Sequence, residues 1–346
     1  MTIGPLMIDL AGTEMSPQER AWLEHSAIGG VILFTRNYAN KTQFTDLVAE
    51  IHAIKAPRLL VAIDQEGGRV QRLREGFTVF PALRNLGHAY DENAANALRL
   101  SHLFAQQLAS ELRQMGIDFS FAPVVDIDYG LSAVIGDRAF HRNIDALSRL
   151  AISFQSGLRE GGMESVAKHF PGHGGVIGDT HTEAAIDTRS EAEIWEADIV
   201  PFQRLITNDL AGVMSSHVIY REVDDKPASL SSIWLKNILR QQLSFQGVIF
   251  SDDLSMQGAL AQGSIELRLE HALEAGSDML LICNRPQDIP TALEYLSDYN
   301  APASQLRLAR YHGRSSKLLT QEAQQLLNTW IDDLGKNESL SLNLEP

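Results

Sequence analysis

Val248-Ile249-Phe250-Ser251-Asp252-Asp253 is an apolar run of strand length, preceded by a glycine and closed by two acids. Working outward, short apolar runs of this kind, bounded by Gly, Pro or charge, recur along the chain. They predict eight strands, at residues 5–10, 30–35, 58–64, 117–126, 165–170, 212–216, 247–252 and 278–283. Between and beside them lie stretches with helical spacing at 17–27, after a Ser16 cap, and at 42–54, 94–114, 146–160, 192–206, 231–242, 264–275 and 288–296. Alternating strand and helix calls for parallel strands joined by crossovers. Eight such units close most simply into a single (β/α)8 TIM-type barrel over residues 1–335. It would carry inserted material around 65–116, a C-terminal helical tail and a loosely ordered end at 336–346. A doubly wound open sheet would want a Gly-rich phosphate loop after an early strand, and Leu10-Ala11-Gly12-Thr13 is no such loop.

The 346 residues are 44% apolar and 21% charged, which excludes wholesale disorder, collagen-like repetition and coiled coil. Lys plus Arg number 29 against 44 Asp plus Glu, a formal net charge of −15. Such a field repels phosphate backbones and anionic lipid, so neither nucleic acid nor a membrane is an expected partner. No stretch approaches the roughly 18 consecutive apolar residues of a membrane span. Cys283 is the single cysteine, so an intramolecular disulfide and zinc sites built on thiolate pairs are excluded. No Lys or Arg precedes Arg20, and Gly4, Pro5 and Asp9 interrupt the first apolar stretch, unlike a secretory signal. The expectation is a soluble cytoplasmic monomer.

A barrel places functional side chains where strands end and loops begin, at its C-terminal rim. Asp9, Asp64, Asp126, Lys168 with His169, His217, Asp252 with Asp253, and Asn284 with Arg285 all fall at such ends. Asp9, Asp126 and Arg285 read equally well as polar strand ends in wet loops. Side chains alternate along a strand, so Asp252 and Asp253 cannot both face the axis unless the backbone has turned. A carboxylate at the mouth can serve as nucleophile, metal ligand or electrostatic stabiliser, whereas Asp253 reads more readily as a cap of the following helix.

The run Lys168-His169-Phe170-Pro171-Gly172-His173-Gly174-Gly175-Val176-Ile177-Gly178-Asp179-Thr180-His181 has four glycines in seven positions, the composition of a movable loop. At its far end Asp179 is close enough to orient the His181 imidazole and favour its proton-donating form; a surface loop with incidental His and Asp is the plain alternative. His169 and His173 have the spacing of paired metal ligands, but that spacing needs a helix, which Pro171, Gly172 and Gly174 forbid, and no metal or cofactor is expected. The segments 64–72 and 136–141 follow the third and fourth strands with carboxylates, an amide and Arg forks. Such groups suit neutral polyhydroxylated ligands, whose hydroxyls both donate and accept.

With these motifs in order along the barrel, the chain resembles the glycoside hydrolase family 3 β-N-acetylhexosaminidases, in their short bacterial cytoplasmic form that serves peptidoglycan recycling. The most specific pieces are Lys168-His169-Phe170-Pro171-Gly172-His173-Gly174, then Asp179-Thr180-His181, then the run from Ile238-Leu239-Arg240 through Gly247 to Ser251-Asp252, which is similar to the family's nucleophile signature. Thr180 stands where Ser is common, and Asp253 where larger relatives often carry Trp. The resemblance implies a retaining exo-β-N-acetylglucosaminidase. Asp252 would be the nucleophile, His181 the general acid/base and Asp179 its partner, while Asp64, Arg72, Arg138, Lys168 and His169 would hold the terminal N-acetylglucosamine. It implies a covalent glycosyl-enzyme, closure of the glycine loop to deliver His181, and GlcNAc-1,6-anhydro-MurNAc peptides as substrates in cell-wall turnover. A metal-dependent amidohydrolase on a barrel and a non-catalytic sugar-binding protein are the alternatives from other classes.

Overall fold

A computed structural model describes residues 3–177 and 185–342, with side chains as far as residue 336. The strands β1 (Leu6–Asp9), β2 (Ile28–Leu33), β3 (Leu60–Ile63), β4 (Phe119–Ser120), β5 (Val166–Phe170), β6 (Gly212–Ser215), β7 (Val248–Asp253) and β8 (Met279–Ile282) follow one another around one parallel sheet. β8 pairs back onto β1, with Leu280 opposite Leu6. The last seam lies between β5 and the chain just beyond β4. There Val166 donates to the Ala122 carbonyl and Val125 to the Lys168 carbonyl, both at 2.8 Å. These bonds complete the (β/α)8 TIM-type barrel that the alternation predicts. β4 is shorter than the expected 117–126 because Pro123 has no N–H to give a ladder.

Strand alternation sorts the apolar side chains into two cores. Ile8, Val61, Val213, Ile249 and Leu280 pack outward beneath the helices, while Met7, Leu60, Met214, Phe250 and Leu281 fill the barrel. The lower barrel is plugged by aromatic rings: Phe119 and Tyr311 lie 4.9 Å apart, and Phe121 and Phe250 lie 5.3 Å apart. Full burial of each such ring stabilises by roughly 2–3 kcal/mol. Tyr311 enters from the far end and its hydroxyl donates to the Ser165 carbonyl at 2.8 Å. A Cβ at Gly212 would fall 1.9 Å from that hydroxyl, so β6 must begin with glycine. With the lower half filled, one cavity opens at the C-terminal rim and a separate one, of about 480 Å³, lies at the opposite end beside Tyr311 and Gly247.

The helices around the barrel start where local chemistry satisfies their first N–H groups. Ser16 caps Pro17–Glu24, its hydroxyl accepting from the Glu19 N–H while the Glu19 carboxylate accepts from the Ser16 N–H at 2.8 Å. The stretch expected as one helix at 192–206 forms two, Glu191–Glu196 and Ile199–Thr207. Asp198, at the break, is buried and accepts from the Arg189 guanidinium at 2.8 Å and the Tyr129 hydroxyl at 3.0 Å. The inserted region holds an antiparallel pair, Gln65–Gly67 with Val70–Gln71, then helices Leu83–Glu92 and Ala94–Gln114. The final helix runs Gln321–Leu342, so the backbone of residues 336–342, expected as a loose end, continues it. Among the described residues no helix is long and apolar enough to cross a membrane.

Candidate active site

The rim opens into a cavity of about 450 Å³. Asp64, Lys168 and Asp252 continue the inward-facing series Leu60–Ala62, Val166 and Val248–Phe250, so period-two alternation aims all three at the axis. Met214 pairs with Lys168 on one side and with Phe250 on the other. Asp252 therefore stands two residues, about 7 Å, further along the strand direction than the level of Lys168. Arg72, Arg138 and His169 line the same cavity, as do Glu66, Arg69, His173 and Asn284.

Lys168 is only 2% exposed. Its ammonium lies 3.0 Å from Asp64 Oδ1 and 2.6 Å from Glu66 Oε1. Arg138 forks onto Glu66 through Nε and Nη2, each at 2.8 Å, and Arg72 Nη2 reaches Asp64 Oδ2 at 3.3 Å. Burial alone would raise both carboxyls, but Arg138 and Lys168 outweigh it at Glu66, as Lys168 and Arg72 do at Asp64. Both acids are held below the usual carboxylate range and stay ionised. Three cations thus face two carboxylates, a fixed array of charged donors and acceptors for neutral hydroxyls. Glu66 is the member the sequence reading did not single out; its signal is its place two residues after Asp64, on the same face.

His169 is held by Asp126. The ring Nδ1 lies 2.7 Å from Asp126 Oδ2, and Asp126 Oδ1 accepts the backbone N–H groups of His169 at 3.1 Å and His173 at 2.7 Å. Burial would raise the Asp126 carboxyl, but the His169 charge and hydrogen bond pull it below its ordinary value. With Asp126 ionised, Nδ1 is the donor in this contact. The Lys168–His169 peptide bond is cis, and both side chains line the cavity. The His169 and His173 rings meet edge to face at 5.8 Å. Among the described residues no group of three or more His, Cys, Asp or Glu could hold a metal ion.

The end of β7 carries the turn that a double acid requires. Three residue steps from Phe250 to Asp253 span two from Met279 to Leu281, a bulge that lets both Asp252 and Asp253 line the cavity. Asp253 does not cap the next helix, which starts at Gln257. Its Oδ1 accepts the N–H groups of Ser255 at 2.9 Å and Cys283 at 3.0 Å, stitching the turn to the end of β8. Burial pushes the Asp253 carboxyl up to about 7, only partly offset by those two bonds. Asp9 and Arg285 do not line the cavity: Asp9 accepts from the Asn284 N–H at 3.0 Å, and Arg285 pairs with Asp288 at 2.9 Å.

The beginning of the glycine-rich segment is packed rather than free. A Cβ at Gly174 would fall 1.7 Å from the Ile127 carbonyl oxygen, and one at Gly172 would fall 2.6 Å from Asp198 Oδ1. The buried Tyr220 hydroxyl donates to the Gly172 carbonyl. These two glycines serve close approach, so the start of the 172–178 segment has a packing reason for its composition beside the movable-loop reading. Gly178, Asp179, Thr180 and His181 lie outside the described residues.

Residues 5–310 match the glycosyl hydrolase family 3 N terminal domain. The chain belongs to glycosyl hydrolase family 3. Within this family the β-hexosaminidase of Thioalkalivibrio sulfidiphilus is 51% identical over 314 residues, covering 91% of this chain and 90% of that protein. The β-hexosaminidase of Neisseria meningitidis is 46% identical over 327 residues, covering 94% and 90%. The crystal structure of NagZ from Neisseria gonorrhoeae in complex with N-trifluoroacetyl-D-glucosamine matches with a TM-score of 0.89 at 42% identity, covering 95% of this chain and 98% of that one. Identity of this size over nearly the whole length makes the chain a glycoside hydrolase of the family's β-hexosaminidase group.

Proposed function

We propose that this family 3 hydrolase removes terminal β-linked N-acetylglucosamine from peptidoglycan fragments of the GlcNAc-1,6-anhydro-MurNAc-peptide type, with retained anomeric configuration. The observation that carries the reading is that Asp252 faces the same cavity as the Asp64–Glu66–Lys168–Arg138 cluster and His169. A nucleophile opposite a fixed array of hydroxyl partners is what attack at an anomeric carbon needs. Asp64, Arg72, Arg138, Lys168 and His169 hold the terminal sugar through charge-assisted hydrogen bonds. Asp252 attacks C1 while His181, oriented and kept protonated by Asp179, gives its proton to the departing oxygen. Water deprotonated by His181 then breaks the ester to Asp252 and releases the sugar. The roles of His181 and Asp179 rest on their motif. Support for the sugar comes from the shared name of the curated relatives and from the glucosamine derivative bound by the gonococcal protein. The setting is the cytoplasmic turnover of cell-wall fragments by a monomer.

The test is release of nitrophenol from its β-N-acetylglucosaminide and from the plain β-glucoside. Strong preference for the former is expected, and equal rates would overturn the assignment. A fluorinated mechanism-based N-acetylglucosaminide should label Asp252, and Asp252→Asn should abolish labelling; label on another residue would remove Asp252 from its role.

A further inference from the structure

His217 lies outside the cavity lining, is fully buried, and has no part in the chemistry described above. It sits in a continuous chain of hydrogen bonds that ends on the nucleophile. Ser229 Oγ is 2.6 Å from His217 Nδ1, and His217 Nε2 is 2.8 Å from the Asp253 carbonyl oxygen. The Asp253 N–H in turn donates to Asp252 Oδ1 at 2.9 Å. We propose that His217 is a positioning residue for Asp252, holding residue 253 through its carbonyl so that its N–H stays on the nucleophilic carboxylate. This inference rests on the proposed role of Asp252.

The direction of the bond to Asp253 follows from the groups. A carbonyl can only accept, so His217 Nε2 carries the hydrogen it gives to Asp253, whichever way the Ser229–Nδ1 bond runs. The need for a clamp follows from the bulge. β7 pairs with β6 only as far as Ser251 opposite Ser215, so the Asp253 carbonyl lies beyond the ladder. His217, just past the end of β6, supplies the donor that a strand would have given. The turn bearing Ser229 is itself fixed to the same stretch: Ser229 donates to the Ser216 carbonyl and Ala228 to the Val218 carbonyl, both at 2.9 Å. From the other side, the Asp253 side-chain Oδ1 is tied to the Cys283 N–H at 3.0 Å. Residue 253 is thereby gripped from β6 and from β8, and its N–H fixes the plane of the Asp252 carboxylate.

The experiment compares His217→Leu, which removes the donor, with His217→Gln, whose amide nitrogen can donate from nearly the same place. Three quantities are read: the rate constant for inactivation by the fluorinated N-acetylglucosaminide, the inhibition constant of N-acetylglucosamine, and the thermal midpoint. His217→Leu is expected to slow inactivation about tenfold to hundredfold, the loss of one well-aimed bond to a charged group. Sugar binding should change less than about twofold, and Gln should restore most of the rate, whereas a purely structural histidine would lose rate, binding and stability together in both variants. That joint loss, or an unaltered inactivation rate in His217→Leu, would overturn the proposal. In the wild-type enzyme, the ring ¹⁵N shifts of His217 should report a hydrogen on Nε2; a ring protonated on Nδ1 alone would overturn it without any variant. Mapping the label in wild type keeps the two readings apart, because label found away from Asp252 removes the nucleophile, while label on Asp252 with an unaffected Leu variant removes only the clamp.

Discussion

Glu66→Gln removes one charge and almost no volume from the most buried ion cluster in the cavity. Glu66 is 1% exposed and accepts two hydrogen bonds from Arg138 at 2.8 Å and a contact from Lys168 at 2.6 Å. In the variant Lys168 and Arg72 are left with Asp64, Arg138 with the fields of Asp126 and Asp64, and the new NH2 group is turned on a cation. Breaking a buried pair by neutralising one partner costs about 3–5 kcal/mol, and the retained amide oxygen argues for about 3. At about 2.1 cal/mol/K per residue, unfolding this chain releases about 0.7 kcal/mol/K, so the melting point should fall about 4 °C. The loss should also depend on pH. The folded Glu66 carboxyl lies below its ordinary value of 4.5, so its stabilisation is fully present above that pH and is lost as pH falls toward the folded value. Scanning calorimetry at a fixed rate should therefore show the full gap near pH 7 and a narrower one near pH 4. A melting point within about 1 °C of wild type near pH 7, or a gap that persists undiminished in acid, would refute the reasoning.

Asp253→Asn should gain stability relative to wild type as pH rises. The folded carboxyl, at about 7, lies above its ordinary 3.8, so the wild type loses stability across that interval while Asn, able to keep both N–H bonds on its Oδ1, does not. The swing in urea-unfolding free energy between about pH 5 and pH 8 should be roughly 2–3 kcal/mol, and a flat difference would count against a neutral buried acid. Gly174→Ala should destabilise by about 2 kcal/mol or more, because its Cβ meets a backbone carbonyl at 1.7 Å, whereas Gly12→Ala, with nothing within 4 Å, should stay within about 0.5 kcal/mol. Equal denaturation midpoints for the two alanine variants would contradict the packed reading of this segment.

The eight strands were legible because a parallel barrel buries each strand on both faces, so its core appears as apolar runs such as Val248–Phe250 that need no partner to be recognised. The short pair Gln65–Gly67 with Val70–Gln71 was not, because three residues carry no usable period. The break at Asp198 was hidden for another reason: the residue that opens the helix is satisfied by Arg189 and by Tyr129, 69 positions away. The same division runs through the site. Asp64, Lys168 and Asp252 could be placed at the mouth from alternation alone, since each sits at an even step from a core residue of its own strand. Asp126 could not be distinguished from a wet strand end, because what makes it a partner of His169 is a 2.7 Å contact across 43 residues of chain. The glycines were the hardest to read. Composition reports that a position tolerates no side chain, but freedom and crowding both have that effect, and only the Ile127 carbonyl opposite Gly174 decides between them. A glycine-rich stretch beside a catalytic motif therefore says that the backbone comes close to something; whether it also moves must be read from what lies within reach of the missing Cβ.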